Sequence, residues 1–359
     1  MSGIKDVAKR AGVSISTVSN VLNQSKYVSP ELVKRVEDAV RELSYEVDPI
    51  ARSMKSNKSG TIGVIVEDMC GVFYPYVVKG INSVVMEKGY QLVICDAQSV
   101  YGDTNAISRE RELFKKLFAS RVDGILFVTM VHQDLIERHF HEILARSNQS
   151  KKIPLVSLER DLTKIGIDSV YFDGYNNAKM AVQHLIDCGC RKIAHIMGPM
   201  MMQVAQERVE GYKDCILQNG LLANWNTLIE YGDYSHQSGY LAMKKLLENT
   251  PDLDGVFCGN DQMAVGALKL LKEYGKRVPE DIKVMGYDDV FLSSIIEPSL
   301  STIHIQKTHT GMKAAQMLFQ RIENPDSSQE PAAVKMGARL VVRRSTVADS
   351  EEEWIFVDW

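Results

Sequence analysis

Residues able to make directed polar contacts recur just after short apolar runs in the second part of this 359-residue chain. Asp68 and the pair Phe73-Tyr74 follow one run, Asp96 ends another, and Glu159-Arg160 follow a third. Phe172-Asp173, Arg208, Asn260-Asp261-Gln262 and Tyr287-Asp288-Asp289 occupy equivalent places further on. Carboxylates accept hydrogen bonds, a guanidinium donates five, and amides do both. With aromatic faces between them, these groups suit a sugar, whose hydroxyls donate and accept and whose ring has apolar faces. An apolar pocket with a few placed polar groups is the usual form of a small-molecule site.

A second set of polar residues lies near the N-terminus. Ser16 and Asn20 are one helical turn apart, and asparagine can make a bidentate pair with adenine in the major groove. Residues 1–59 hold ten Lys/Arg against seven Asp/Glu, net +3, whereas the other 300 residues hold 32 against 39, net −7. A small basic head on an acidic body points to a nucleic-acid partner for the head.

Catalytic signatures are missing. The chain has no G-x-G-x-x-G after a strand, no Walker A, no H-E-x-x-H and no G-x-S-x-G, which speaks against an enzyme and a bound cofactor. His132, His139 and His141 with Glu137 read as a solvated helix face rather than a metal site, and Met197 with Met200-Met201-Met202 as packing or pocket lining. The six scattered cysteines read as buried reduced thiols. MSGIKDVAKR lacks a secretory h-region, and no apolar run reaches the ~18 residues of a spanning helix. A cytoplasmic protein is the expectation.

The elements that must carry these residues follow from periodicity. Ile4, Val7, Ala8 and Ala11 make one face of a short helix. Gly12 suits the left-handed cap that ends it, and Ser14 suits the N-cap of the next. In that next helix Val18, Val21 and Leu22 face inward, while Ile15, Ser16, Ser19, Asn20 and Asn23 fall on the other side. Two such helices joined by a Gly-containing turn make a helix-turn-helix. A third helix begins at Ser29-Pro30. Asp48-Pro49 is a further start signal, but only about two turns follow, and so short a helix is marginal alone. From Thr61 apolar strands alternate with helices: Thr61–Val66, Leu92–Asp96, Gly124–Val128, Leu155–Leu158, Lys192–Met197, Gly255–Cys258, Ile282–Gly286 and Leu300–His304 are the strand candidates. This rhythm implies two largely parallel sheets covered by helices, with ligand beyond the carboxyl ends of the strands.

Asp6-Val7-Ala8, Ala11-Gly12-Val13-Ser14, Thr17-Val18-Ser19, Val21-Leu22-Asn23, Val28-Ser29 and Ala51-Arg52 resemble, in order and spacing, the head of the lactose/galactose repressor (LacI/GalR) family. The resemblance continues through Thr61-Ile62-Gly63-Val64, Asp123-Gly124-Ile125, Gly198-Pro199, Arg208 with Gly211-Tyr212, Asn260-Asp261-Gln262-Met263-Ala264 and Gly286-Tyr287-Asp288-Asp289. It implies an all-α helix-turn-helix head over 1–46, a hinge helix or linker over 47–60, and an α/β sensor like periplasmic binding proteins over 61–346. The sensor has two doubly wound lobes, about 61–171 with 305–334 and about 172–304 with 335–346. A tail, 347–359, lacks leucine heptads.

The same resemblance implies DNA contacts from Ile15, Ser16, Thr17, Ser19, Asn20, Asn23 and Tyr27, and from Ala51, Arg52, Met54 and Lys55 of the hinge, with Met54 as the minor-groove wedge. It implies effector contacts from Phe73, Tyr74, Asp96, Arg160, Phe172, Arg208, Tyr234, Asn260, Asp288 and Lys307. The expected protein is a repressor that binds a pseudo-palindromic double-stranded operator as a homodimer under control of a small sugar. The alternative keeps the DNA role and replaces the sugar with a phosphocarrier protein or a sugar phosphate.

Overall fold

A computed structural model describes residues 3–23, 26–45, 58–98, 105–147, 152–221, 228–325 and 329–351. The hinge positions Ala51, Arg52, Met54 and Lys55, and the end of the tail, lie outside them. Internal packing divides the chain into two units, Met1–Ser59 and Gly60–Trp359.

In the first unit, α1 (Ile4–Ala11), α2 (Ile15–Asn23) and α3 (Pro30–Glu42) enclose Val7, Ala8, Ala11, Val18, Val36 and Ala39. Gly12 ends α1 at φ 64°, where an L side chain is strained. A Cβ there would also collide with Arg35, whose Nη2 donates to Ala11 O at 2.6 Å. Ser14 Oγ accepts from Thr17 N at 3.0 Å, the expected N-cap.

The second unit is α/β. Its first sheet runs β11-β5-β4-β3-β1-β2, with β1 Thr61–Val66, β2 Gln91–Asp96, β3 Gly124–Phe127, β4 Leu155–Leu158, β5 Asp168–Phe172 and β11 Ala333–Met336. Every pairing in it is parallel. The second sheet, β7-β6-β8-β9, is also parallel: β6 Ile193–Met197, β7 Ile229–Tyr231, β8 Gly255–Cys258 and β9 Lys283–Met285. Strands β10 (Thr302–Ile305) and β12 (Ala338–Val341) form an antiparallel pair of their own. The covering helices are α4 Tyr74–Glu87, α5 Ala106–Ala119, α6 Gln133–Ser147, α7 Gly174–Asp187, α8 Gln203–Gln218, α9 His236–Asn249, α10 Asp261–Glu273, the single turn α11 Leu292–Ile295, and α12 Lys307–Glu323.

Helices α4 and α12 touch backbone to backbone. A Cβ on Gly80 would stand 1.9 Å from Thr308 O, and one on Gly311 2.0 Å from Val77 O. The same device joins α9 to α10, where Gly266 meets His236 O and Gly239 meets Met263 O. Gly80→Ala and Gly266→Ala therefore force these helix pairs apart.

Strands β5, β7, β11 and β12 were not among the strand candidates, and other details also depart from the sequence reading. Strand β11 pairs with β5, so Phe172, Lys335 and Met336 join the first sheet rather than the second lobe. His139 is not on a solvated face. It is 1% exposed, with its Nε2 3.0 Å from Glu110 Oε1, because it shares the buried stripe of Ile136, Phe140 and Ile143. Ser19 is buried within the head rather than on its outer side. Cys70 is exposed and Cys95 and Cys188 half-buried, whereas Cys190, Cys215 and Cys258 are buried free thiols.

Candidate functional site

Residues that follow strands of both sheets meet at one cleft of about 810 Å³, counted out to the solvent at its mouth. The first sheet contributes Glu67 and Asp68 after β1, Phe73 and Tyr74 at the start of α4, and Glu159 after β4. The second contributes Met202, Val204 and Arg208, the Asp233-Tyr234-Ser235 turn after β7, Asn260 and Gln262 after β8, and Asp288 after β9. All stand at carboxyl ends of parallel strands, where open α/β sheets take ligands.

Arg208 anchors the second wall. Its Nη1 donates to Gly259 O at 2.6 Å, and its guanidinium lies 3.7 Å from the centre of the Tyr287 ring. Its Nε is buried without a partner. Burial opposes its charge, but Tyr234, Tyr287, Asp288 and Glu159 around it more than offset that and hold its pKa above the ordinary value. Asn260 caps α10 by accepting from Met263 N at 2.9 Å, and its Nδ2 donates to Tyr234 O at 3.0 Å. Gly198 leaves room for the Tyr234 ring, which a Cβ would meet at 2.2 Å.

Three cleft residues hold left-handed backbone without being glycine: Glu159 (φ 69°), Tyr234 (φ 68°) and Asp288 (φ 105°). Such conformations cost about 1–3 kcal/mol each and gather at functional sites. Here they turn side chains into the cleft.

The first wall is acidic. Tyr74 Oη donates toward Glu67 Oε2 at 3.3 Å and Glu159 Oε2 at 3.2 Å. Burial and the neighbouring Glu159 push Glu67 up to about 8. Burial pushes Glu159 up to about 7, against the pull of Arg208. Asp288 is also raised by burial, with Arg208 opposing.

Of the expected effector contacts, Phe73, Tyr74, Arg208, Tyr234, Asn260 and Asp288 line the cleft. Phe172 lines a recess beside it with Phe73, Arg208 and Asp288. Three expected contacts turn elsewhere. Asp96 accepts from Met69 N and Gln98 N, tying two loops together. Arg160 donates to Val131 O at 2.6 Å and to Gln133 Oε1, bracing the β3–α6 connection. Lys307 is 1% exposed and donates to Asp288 O at 2.6 Å, Asp289 O at 3.0 Å and Ile305 O at 3.3 Å. It props the Asp288 turn from behind. Bonds to a charged group are worth about 1.5–3 kcal/mol, so Lys307→Met should cost at least that much stability, read as a lower urea midpoint. Glu67 and Glu159 are cleft residues absent from the expected contacts.

In the head, Ile15 is 46% exposed, Ser16 is exposed and Tyr27 is 90% exposed, while Thr17 and Asn20 are half-buried. Ser16 Oγ lies 2.8 Å from Ser14 Oγ. The outward face of α2 is thus short and polar around Ile15, as a helix entering the major groove requires.

A helix-turn-helix head and a two-sheet cleft on one chain are the layout of an effector-controlled DNA-binding regulator. Residues 3–48 match the family model described as bacterial regulatory proteins, lacI family, and residues 182–346 match the periplasmic binding protein-like domain. The chain is 34% identical over 346 residues to the HTH-type transcriptional repressor PurR of Pasteurella multocida (strain Pm70), covering 96% of this chain and 98% of that one. It is 36% identical over 331 residues to the ribose operon repressor of Escherichia coli (strain K12), covering 92% and 96%. Among solved structures it is similar to a lac repressor dimer bound to operator and the anti-inducer ONPF, with TM-score 0.84, 26% identity, and 96% and 99% of the two chains covered. A transcriptional regulator CelR–cellobiose complex matches with TM-score 0.69 at 31% identity, covering 96% and 100%. The protein belongs to the lacI family of bacterial transcriptional regulators, a family of DNA-binding repressors and not of enzymes.

Proposed function

We propose that this protein is a homodimeric repressor that binds a pseudo-palindromic operator and is controlled by a small, uncharged, sugar-like effector in the cleft between its lobes. The observation that carries the effector reading is the convergence of Arg208, Asn260 and Asp288 with Phe73, Tyr74 and Tyr234 around one cavity. Hydroxyls that both donate and accept can satisfy Arg208 and the surrounding carboxyls together, and the rings can cover the sugar's apolar faces. The ribose operon repressor and the CelR–cellobiose complex support a sugar.

The homodimer is supported by the lac repressor dimer among the similar structures. Exposed apolar side chains on edge strands agree with it: Val93 and Ile94 on β2 are 43% and 41% exposed, and Tyr231 on β7 is 62% exposed. A single helix-turn-helix reads one half-site, so two heads are needed for affinity and spacing. Ile15, Ser16, Thr17, Asn20 and Tyr27 are the contacts we assign to the head. Ser19 is left out because it is buried. Asn23 stays assigned on its sequence position alone. Asn20→Ala should weaken the cognate operator by about 1–3 kcal/mol and leave random duplex nearly unaffected. Equal loss on both duplexes in a gel shift removes Asn20 as a base reader.

Binding between the lobes favours one lobe arrangement only to the extent that the effector prefers it. The site of action, operator DNA, makes the cytoplasm the working compartment. No helix among the described residues is long and apolar enough to cross a membrane. Thermal denaturation against pentoses, hexoses, disaccharides and sugar phosphates tests the effector class, since a ligand that binds the folded state raises its melting temperature. Stabilisation by a sugar phosphate and by no unmodified sugar would replace the uncharged effector in this reading. Stabilisation by none of them, with a phosphocarrier protein raising operator affinity, would favour the protein-partner alternative.

A further inference from the structure

The first wall of the cleft holds a shortage of hydrogen-bond donors. Tyr74 Oη stands 3.3 Å from one Glu67 oxygen and 3.2 Å from one Glu159 oxygen. A phenol carries one hydrogen, so it serves one of the two carboxyls at a time. Asp68, Asp233 and Asp288 bring the lining to five carboxyl groups, against one guanidinium, Arg208, among the described lining residues. That guanidinium sits on the opposite wall, 9% exposed, with one nitrogen given to Gly259 O and its buried Nε unpartnered. The cleft is therefore uneven: the first wall carries Glu67, Asp68 and Glu159 and no cation among its described lining residues, whereas the second sets Arg208 beside Asp233 and Asp288.

We propose that Glu67, paired with Glu159 across the Tyr74 hydroxyl, is a specificity-determining residue that selects effectors presenting free hydroxyls or an amine to the first wall and excludes phosphorylated sugars. This inference rests on the reading that the cleft holds a sugar-like effector. A free hydroxyl or an amine supplies the donor that the phenol cannot supply twice. A phosphate dianion at the same place brings only acceptors, next to two carboxyl groups with no cation between them. The raised pKa values of Glu67 and Glu159, caused first by burial, agree with two acids that share too few donors. Their protonation softens the repulsion but provides two hydrogens at most, and the carboxylate of Asp68 lines the same wall.

Glu67→Gln keeps the side chain's size, removes its charge and adds an amide donor. Glu67→Asp keeps the charge and shortens the reach. The full-length chain and both variants are titrated by calorimetry with D-ribose and D-ribose 5-phosphate, D-glucose and D-glucose 6-phosphate, and D-glucosamine. The parent chain is expected to bind at least one unmodified or amino sugar, and its phosphate at least 100-fold more weakly or undetectably. In Glu67→Gln that discrimination falls at least tenfold, while Glu67→Asp retains it. A merely structural role would weaken all ligands alike and leave the ratio unchanged, and that result overturns the inference. So does a phosphorylated sugar that binds the parent chain as tightly as its parent sugar. If no probe binds the parent chain, the sugar reading of the cleft itself falls, and this inference with it.

Discussion

Replacing Arg208 with alanine is expected to abolish the effector response while operator binding survives. Arg208 is the one cation among the described residues of the cleft, and it is held in place by Gly259 O and the Tyr287 ring. It lines the cleft, and each charged hydrogen bond it makes to an effector is expected to contribute about 1.5–3 kcal/mol. Two such bonds correspond to a loss of at least ~100-fold in effector affinity, at 1.4 kcal/mol per tenfold. Asp288→Asn should also weaken the effector strongly, because it replaces one carboxyl oxygen of a cleft-lining side chain with an amide donor. The head is a separate packing unit with its own core, so DNA affinity without effector is expected to persist. Calorimetry and gel shifts read the two halves of this result. A variant that still responds normally to the effector would move the regulatory site out of the cleft and favour the protein-partner alternative.

Effector binding should release protons near neutral pH. In the free cleft burial raises Glu67 to about 8 and Glu159 to about 7. Part of the population is therefore protonated at pH 7. Hydroxyl donors from a bound sugar stabilise the ionised form and lower both pKa values. The complex then holds fewer protons than the free protein, so affinity rises with pH up to about 8 and flattens above it. The slope approaches tenfold per pH unit for each group that loses its proton. Calorimetry in buffers of different ionisation enthalpy counts these protons. Uptake of protons, or affinity that falls between pH 6 and 8, would mean that the acids donate to the ligand rather than accept from it.

The parts of the site that could be read from the sequence are those where residue type alone decides the geometry. Gly12 and Ser14 mark a helix end and a helix start for reasons that belong to single residues, and the structure has both. Apolar strands between helical stretches gave the two parallel sheets, and Arg208, Asn260 and Asp288 do meet in one cleft. Direction is what a one-dimensional reading loses. Glu159 and Arg160 are neighbours just beyond β4; the first turns to the cleft and the second to Val131 O. Successive side chains of extended backbone point to opposite faces, and an unusual φ at Glu159 sets which one wins. Lys307 was misplaced for another reason. Lysine is rarely buried, yet here its ammonium is enclosed by three backbone carbonyls. His139, read from the sequence as solvated, falls on the buried helix face of Ile136, Phe140 and Ile143, and that spacing was the signal for its burial.

The central claim is that one cleft and one head are thermodynamically linked. Linkage requires that the effector change operator affinity by the same factor as operator changes effector affinity. The decisive measurement is therefore a closed cycle on the full-length protein, using the sugar selected by thermal denaturation: operator affinity with and without effector, and effector affinity with and without operator. Equal factors of roughly 5–150 are expected in the parent chain, collapsing to one in Arg208→Ala. An effector affinity that does not change when operator is bound, or a coupling that survives in Arg208→Ala, would contradict control from this cleft.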